Sequence, residues 1–213
     1  MDYFIGKYEG NFKNGNKEGY GKFIYKNGDL YDGNWKNDIE EGDGRIIYNN
    51  KDIYDGNWVK GKKEGFGIIY YNNKDKINLI DNKEIDRYYG YFKNNLKEGE
   101  GEIYLKNKEK IESEWKEDKI GKKIIYYYIN GDKYEGEFKN DLKEGKGIYY
   151  YNNGDKYEGE WINGIREGKG IFYWKNGDKW EGYFHNDLLD GEGMFYNDVD
   201  SFPVVYKKGE NVS

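Results

Sequence analysis

The chain carries 41 acidic side chains, one histidine and no cysteine, so any chemistry must come from carboxylates, amines, hydroxyls or aromatic rings. A carboxylate pair divides general-acid and general-base roles only when unlike surroundings separate the two pKa values. Here the carboxylates recur in one local context, each just before a glycine, at Glu18, Glu41, Glu64, Glu98, Glu144 and Glu167. That repetition argues against catalysis, and no catalytic residue is assigned. The expected partners of the acidic row are neighbouring lysines. The lone His185 reads as a solvated strand-end residue. Gly-x-Gly segments such as Gly19-Tyr-Gly21 could cradle a phosphate, but no Gly-Lys-Ser/Thr follows and no helix begins there. No Asp-x-Asp-x-Asp-Gly loop is present for calcium, and without cysteine there is no disulfide or thiolate site. No metal and no cofactor are expected.

The residues left to carry a function are the rings. Aromatic side chains make up 19% of the sequence, with 25 Tyr and 6 Trp, which is too many for a disordered chain despite 36% charged residues. They are also periodic. Tyr8-Glu-Gly-Asn-Phe12, Tyr31-Asp-Gly-Asn-Trp35 and Tyr54-Asp-Gly-Asn-Trp58 follow at a spacing of 23, and Tyr88-Tyr-Gly-Tyr-Phe92 comes after an insertion near residues 77–87. Ile111-Glu-Ser-Glu-Trp115, Tyr134-Glu-Gly-Glu-Phe138, Tyr157-Glu-Gly-Glu-Trp161 and Trp180-Glu-Gly-Tyr-Phe184 resume the spacing. The fifth position is aromatic in all eight copies. At the background frequency that would arise on the order of a few times in a million, so chance is excluded.

These residues need elements to hold them. Each block alternates apolar and polar with period two, as a half-buried strand does. A Glu-Gly-x-Gly segment and a second apolar run follow, such as Ile148-Tyr-Tyr-Tyr151 or Ile171-Phe-Tyr-Trp174. Four units close with Asn-Gly-Asp, at 27–29, 130–132, 153–155 and 176–178, which reads as a type I′ turn. Helices are excluded by the repeated glycines. Pairing the strands about their loop sets Trp35 opposite Gly42 and Gly33 opposite Gly44, so a ring can lie over backbone with no opposing Cβ. Unit five departs, with Ile111, Ser113 and Gly121-Lys-Lys-Ile124. The insertion is expected to protrude, with an apolar contact through Leu79 and Ile80. Phe202-Pro-Val-Val-Tyr206, in a C-terminal cap over 202–213, is expected to cover a sheet edge.

Net charge is −6 with pI about 5.1, and no run of four basic residues occurs. Nucleic acid is therefore not an expected partner, and anionic lipid is disfavoured. No secretory signal or membrane-spanning run is read in the sequence, so a cytoplasmic location is the expectation. That also disfavours a carbohydrate-binding role, which would need export.

The blocks Tyr-Glu-Gly-x-Trp/Phe, Glu-Gly-x-Gly and Asn-Gly-Asp resemble MORN repeats, over about Tyr8 to Phe202 and with one array spanning 1–213. The resemblance implies an all-β fold: an elongated, single-layer antiparallel sheet of tandem β-hairpins, a twisted ribbon with a concave aromatic groove. It also implies an adaptor in cytoskeletal or membrane-associated assemblies, with phospholipid as the alternative ligand. The expected groove comprises Tyr31, Trp35, Tyr54, Trp58, Phe92, Trp115, Tyr134, Phe138, Tyr157, Trp161, Trp180 and Phe184. A protein segment, helical or extended, is the expected occupant, and the sheet edges could support a homo-oligomer.

Overall fold

The computed structural model describes residues 6–72 and 83–213. Every regular element among them is a strand. The chain divides into two compact units within the fifth repeat. Unit 1 contains β1 (Gly6–Lys13), β2 (Asn16–Tyr25), β3 (Leu30–Lys36), β4 (Ile39–Ile47), β5 (Ile53–Val59), β6 (Lys62–Tyr70), β7 (Ile85–Lys93) and β8 (Leu96–Leu105). The fifth repeat supplies β9 (Lys110–Lys116) and β10 (Lys119–Tyr127). Unit 2 continues with β11 (Lys133–Lys139), β12 (Leu142–Tyr150), β13 (Lys156–Ile162), β14 (Ile165–Tyr173), β15 (Lys179–His185), β16 (Leu188–Tyr196), β17 (Ser201–Lys207) and the two-residue β18 (Glu210–Asn211). In each unit the strands form a single antiparallel layer in which sequence neighbours are spatial neighbours.

The register corrects the simple hairpin. Gly33 pairs with Gly44 as expected, but a β-bulge follows, and Trp35 then lies opposite Glu40. Gly42 instead faces Trp58 of the next repeat. The bulge frees the carbonyl of Asn34, which the Tyr31 hydroxyl satisfies by donating at 3.0 Å. Tyr54, Tyr134 and Tyr157 do the same for Asn57, Glu137 and Glu160. The two glycines of Glu-Gly-x-Gly therefore have different reasons. Gly42 has φ of +78°, a left-handed conformation that side chains rarely adopt. Gly44 lies under the Tyr31 ring, where a Cβ would come within 2.2 Å of the hydroxyl oxygen.

The turns are also exchanged relative to the sequence expectation. In Asn27-Gly28-Asp29 only Gly28 has positive φ; its N–H donates to Tyr25 C=O, and Tyr25 N–H donates to Asp29 C=O. That is a type I turn with a glycine bulge. The type I′ turns instead join the two strands of each hairpin, as from β3 to β4 and from β15 to β16, where Asn37-Asp38 and Asn186-Asp187 both take positive φ. Two left-handed residues match the strand twist there, and Asn and Asp tolerate that conformation without glycine.

Acidic side chains staple each repeat to the next. Glu41 accepts the N–H of Lys60, Glu64 that of Asn94, Glu144 that of Asn163 and Glu167 that of Asn186, at 2.8–3.0 Å. The acidic row thus binds the backbone of the following type I′ turn, rather than the lysines expected from the sequence. At the opposite strand ends Asp29, Asp52 and Asp155 accept the N–H of Asn49, Asn72 and Lys175, each at 2.8 Å. Asp132 is the buried example. It accepts from the Tyr149 hydroxyl (2.7 Å), the Asn152 N–H (2.8 Å) and the Asn130 amide (2.8 Å). Burial pushes its pKa up, but these hydrogen bonds together hold it below the ordinary value. Its contribution is therefore present above the unfolded pKa and lost as pH falls through the lower folded one. Asp132→Ala strands three donors and is expected to cost about 2–3 kcal/mol in urea unfolding at neutral pH. Asp155→Ala, at the half-buried equivalent, should cost less than Asp132→Ala.

Residues 85–87, placed within the insertion by sequence, belong to β7, and Ile85 is buried. Leu79 and Ile80 lie outside the described residues. At the C-terminal end β17 pairs with β16, and Tyr206 faces Gly191 as Phe184 faces Gly168. This segment is the first strand of a further hairpin whose second strand, β18, spans two residues.

Candidate functional site: an aromatic face with a row of cations

One face of each unit collects the rings. Tyr31, Trp35, Tyr54, Trp58, Phe92, Trp115, Tyr134, Tyr157, Trp161, Trp180 and Phe184 are all buried, at no more than 5% exposure, and Phe138 is half-buried. The residues expected to line the groove are thus its floor. Tyr31, Tyr54, Tyr88 and Tyr157 each make edge contacts to the ring of their own strand and to that of the next repeat. Tyr31 meets Trp35 and Trp58 at 5.1 and 5.3 Å, Tyr54 meets Trp58 and Phe92 at 5.4 and 5.1 Å, and Tyr88 meets Phe92 and Trp115 at 5.4 and 5.3 Å. In unit 2, Tyr157 joins Trp161 and Phe184 in the same way. The indoles of Trp35, Trp58 and Trp161 donate to the carbonyls of Gly21, Gly44 and Gly147, one repeat back. Those of Trp115 and Trp180 are buried without a partner among the described residues.

Above this floor stands a second row that the sequence reading did not select. It comes from the second strand of each hairpin and the turn beyond it. In unit 2 half-buried rings follow one another from Tyr128 through Tyr149, Tyr151, Phe172 and Trp174 to Phe195, with centroids 4.7–5.8 Å apart. Unit 1 has Ile46, Ile69 and Ile103 at the positions of Tyr149, Phe172 and Phe195, so its second row is not a continuous stack of rings. Instead, a groove of about 610 Å³ opens there between Tyr25, Glu40, Tyr48, Trp58, Lys63 and Asn95.

Cations also reach this face, from the first, third, fourth, sixth and seventh repeats. Lys17 lies 4.1 Å from the Trp35 ring centroid, Lys63 5.1 Å from Tyr54, Lys97 4.9 Å from Trp115, Lys143 3.9 Å from Trp161 and Arg166 5.4 Å from Phe184. Each directly precedes the acidic residue of a Glu-Gly-x-Gly segment and lies opposite the strand's last ring, as Lys63 does opposite Trp58. Burial lowers the pKa of Lys63 and Lys97 and brings Lys143 down to about 8. None of Lys63, Lys97 and Lys143 has a carboxylate within ion-pair distance among the described residues. Glu40 occupies the same position in the second repeat and accepts a hydrogen bond from the Tyr25 hydroxyl.

The basic patch that the sequence lacked as a contiguous run is therefore assembled across repeats. Its signal in the sequence was the residue before Glu-Gly-x-Gly, together with a bulge that shifts the register by two residues. The opposite face carries ion pairs such as Lys22–Asp32 and Lys133–Glu135, at 2.9 and 2.6 Å. His185 is exposed at the end of β15 and pairs with Glu167 at 2.7 Å, which raises its pKa. No group of three or more metal-binding side chains occurs among the described residues, and no helix is long and apolar enough to cross a membrane.

Among solved structures the chain resembles the SAS-4 TCP domain of Drosophila melanogaster, in complex with a proline-rich motif of Ana2. That likeness has a TM-score of 0.53 at 16% identity and covers 87% of this chain and 94% of that one. The wild-type TCP10 domain of Danio rerio CPAP, in complex with a STIL peptide, aligns at a TM-score of 0.33 and 10% identity over 94% and 99% of the two chains. No curated protein matches. The family model for the MORN repeat matches residues 8–30, 31–53, 54–76, 88–109, 134–156, 157–179 and 180–198. The degenerate fifth repeat is outside those matches. With the model covering most of the chain and the hairpin register repeating in each matched segment, the chain belongs to the MORN-repeat family.

Proposed function

We propose that this chain is a non-enzymatic adaptor that docks a segment of a partner protein on its aromatic face. The observation that carries the reading is the half-buried second row in unit 2, from Tyr128 to Phe195. A buried floor already stabilises the sheet, so a further layer of rings left half in water points to a surface that is covered by something else. The SAS-4 TCP domain, similar in fold, is seen with a proline-rich motif, which favours an extended segment over a helix. The family resemblance supports a place in a cytoplasmic, cytoskeletal assembly. A phospholipid role is the weaker reading, because the cations lie half-buried among rings rather than projecting toward a flat surface. Sedimentation with anionic vesicles at low salt is expected to leave the protein in solution.

The test is selection of ligands from a displayed peptide library on the full chain, followed by Tyr151→Ser and Trp174→Ser. Both rings are half-buried, so the double variant should keep the wild-type circular dichroism. Its affinity for the selected peptides should fall about tenfold or more, as loss of two stacking anchors implies. Unchanged affinity in a folded variant would overturn the reading.

A further inference from the structure

Unit 1 carries a pattern of charge on its aromatic face. Lys17 on β2, Glu40 on β4, Lys63 on β6 and Lys97 on β8 occupy one register position, each opposite the last ring of the preceding strand. All four are half-buried, so their charged ends are not simply lost in bulk water. Glu40 and Lys63 both line the groove described above, between the Tyr25, Tyr48 and Trp58 rings. Read along the sheet, the order is positive, negative, positive, positive.

The spacing of these charges selects a ligand conformation. Successive positions are two strands apart, or about 9.6 Å at ordinary strand separation. A polyproline II segment advances about 9.3 Å in three residues and returns to the same side, because it has three residues per turn. An extended β-strand advances about 10 Å in three residues, but its third residue points to the opposite face. An α-helix returns to nearly the same side only after seven residues, which is about 10.5 Å and overshoots by nearly 1 Å per repeat. Of the three, only the polyproline II segment matches both rise and rotation, and its rings or apolar side chains would stack on the aromatic floor between charges.

We propose that unit 1 binds a polyproline II segment with side chains acidic, basic, acidic and acidic at positions i, i+3, i+6 and i+9, in one chain direction or the other. This rests on the adaptor reading above and names the ligand's chemistry. The three lysines or arginines of a charge-inverted segment would meet Lys17, Lys63 and Lys97, already desolvated by rings, so the pattern discriminates by repulsion as well as attraction.

The experiment is fluorescence anisotropy of labelled proline-rich peptides with the full chain. The matched sequence is Glu-Pro-Pro-Lys-Pro-Pro-Glu-Pro-Pro-Glu, made in both orders and compared with charge-inverted and all-acidic forms. The better matched order is expected to bind at least about tenfold more tightly than the inverted peptide at low salt, with the difference shrinking as salt rises. Glu40→Lys should reverse one position, so that the all-acidic peptide becomes the preferred ligand. A merely structural role for Glu40 would weaken all peptides alike. Circular dichroism confirms that the variant is folded. Equal binding of matched and inverted peptides overturns the charge pattern while leaving the adaptor reading to the library selection. Absence of binding to any of these peptides overturns the polyproline II assignment.

Discussion

Raised above pH 10, the protein is expected to unfold, and to do so as its tyrosines ionise rather than before or after. Tyr31, Tyr54 and Tyr88 in unit 1, and Tyr134 and Tyr157 in unit 2, are no more than 1% exposed. Burial raises the pKa of each well above 10. For such a group the unfolded chain loses its proton first. The stability it contributes is complete below about pH 10 and falls as pH rises toward the folded pKa. Each phenol then removes up to about 1.4 kcal/mol per pH unit, so unit 1 loses up to about 4 kcal/mol per unit and unit 2 about 3. Against the roughly 5–15 kcal/mol that usually holds a domain, this places unfolding more than about one unit above pH 10, with unit 1 going before unit 2. Tyrosinate absorbance from these five residues should rise in the same step as the far-ultraviolet dichroism is lost. Ionisation of the floor tyrosines while the sheet remains folded would contradict the argument. Tyr54→Phe sharpens it, because the variant should lose about 1 kcal/mol at neutral pH, through its hydroxyl bond to Asn57, yet unfold at a higher pH.

That floor was legible in the sequence because its determinants are local and repeated. Period-two alternation in Tyr31-Asp-Gly-Asn-Trp35 and the glycines that follow require strands with rings on one side. The details that failed are those set by a single backbone irregularity. The bulge at Asn34 leaves no mark in residue types, since Asn at that position reads equally well as an ordinary outward strand residue. Without it, Trp35 is paired with Gly42. With it, Trp35 faces Glu40 and Lys36 faces Ile39, while Gly44 to Ile47 keep the partners of the simple hairpin. The turn assignment failed for a related reason. Asn27-Gly28 is a strong I′ sequence, but the Asp29 carbonyl receives the Tyr25 N–H and a three-residue loop results. The Asn37-Asp38 turn then carries the left-handed pair instead.

The site was less legible than the fold because alternation identifies which rings are buried, and a binding surface is built from those that are not. Trp35 and Trp58 drew attention through their periodicity, yet periodicity in a repeat array marks what every repeat needs for stability. Tyr151 and Trp174 lie in runs of consecutive apolar residues, where period two no longer distinguishes the faces. The lysines were hidden in a different way. Lys63 and Lys97 are far apart in sequence and each is followed by an acidic residue, so charge counted along the chain cancels. The structure separates the two neighbours, because Glu64 turns to the Asn94 amide while Lys63 stays on the ring floor.

Gly44→Ala is expected to be among the most damaging substitutions the chain can suffer, and the penalty should depend on Tyr31. A Cβ at Gly44 would lie 2.2–2.7 Å from three atoms of the Tyr31 side chain, while its partner Gly33 would also meet the Gly44 backbone. The alanine must therefore expel the ring, which loses its contacts to Trp35 and Trp58 and its bond to the Asn34 carbonyl. Loss of a buried aromatic of this kind costs about 3–5 kcal/mol. In a Tyr31→Ile background the clashing atoms are absent, and the same alanine should cost about 1 kcal/mol or less, a coupling of roughly 2 kcal/mol or more. The fifth repeat already embodies the exchange. Ile111 stands where the tyrosine would be and is buried, and Ser113 and the buried Ile124 replace both glycines of the pair. Its three departures are therefore one compensated change, in which removal of the ring lifts the requirement for glycine beneath it. Urea unfolding of the four members of the cycle decides the matter: an equal penalty for Gly44→Ala in both backgrounds would mean that backbone conformation, and not the Tyr31 ring, demands glycine at that position.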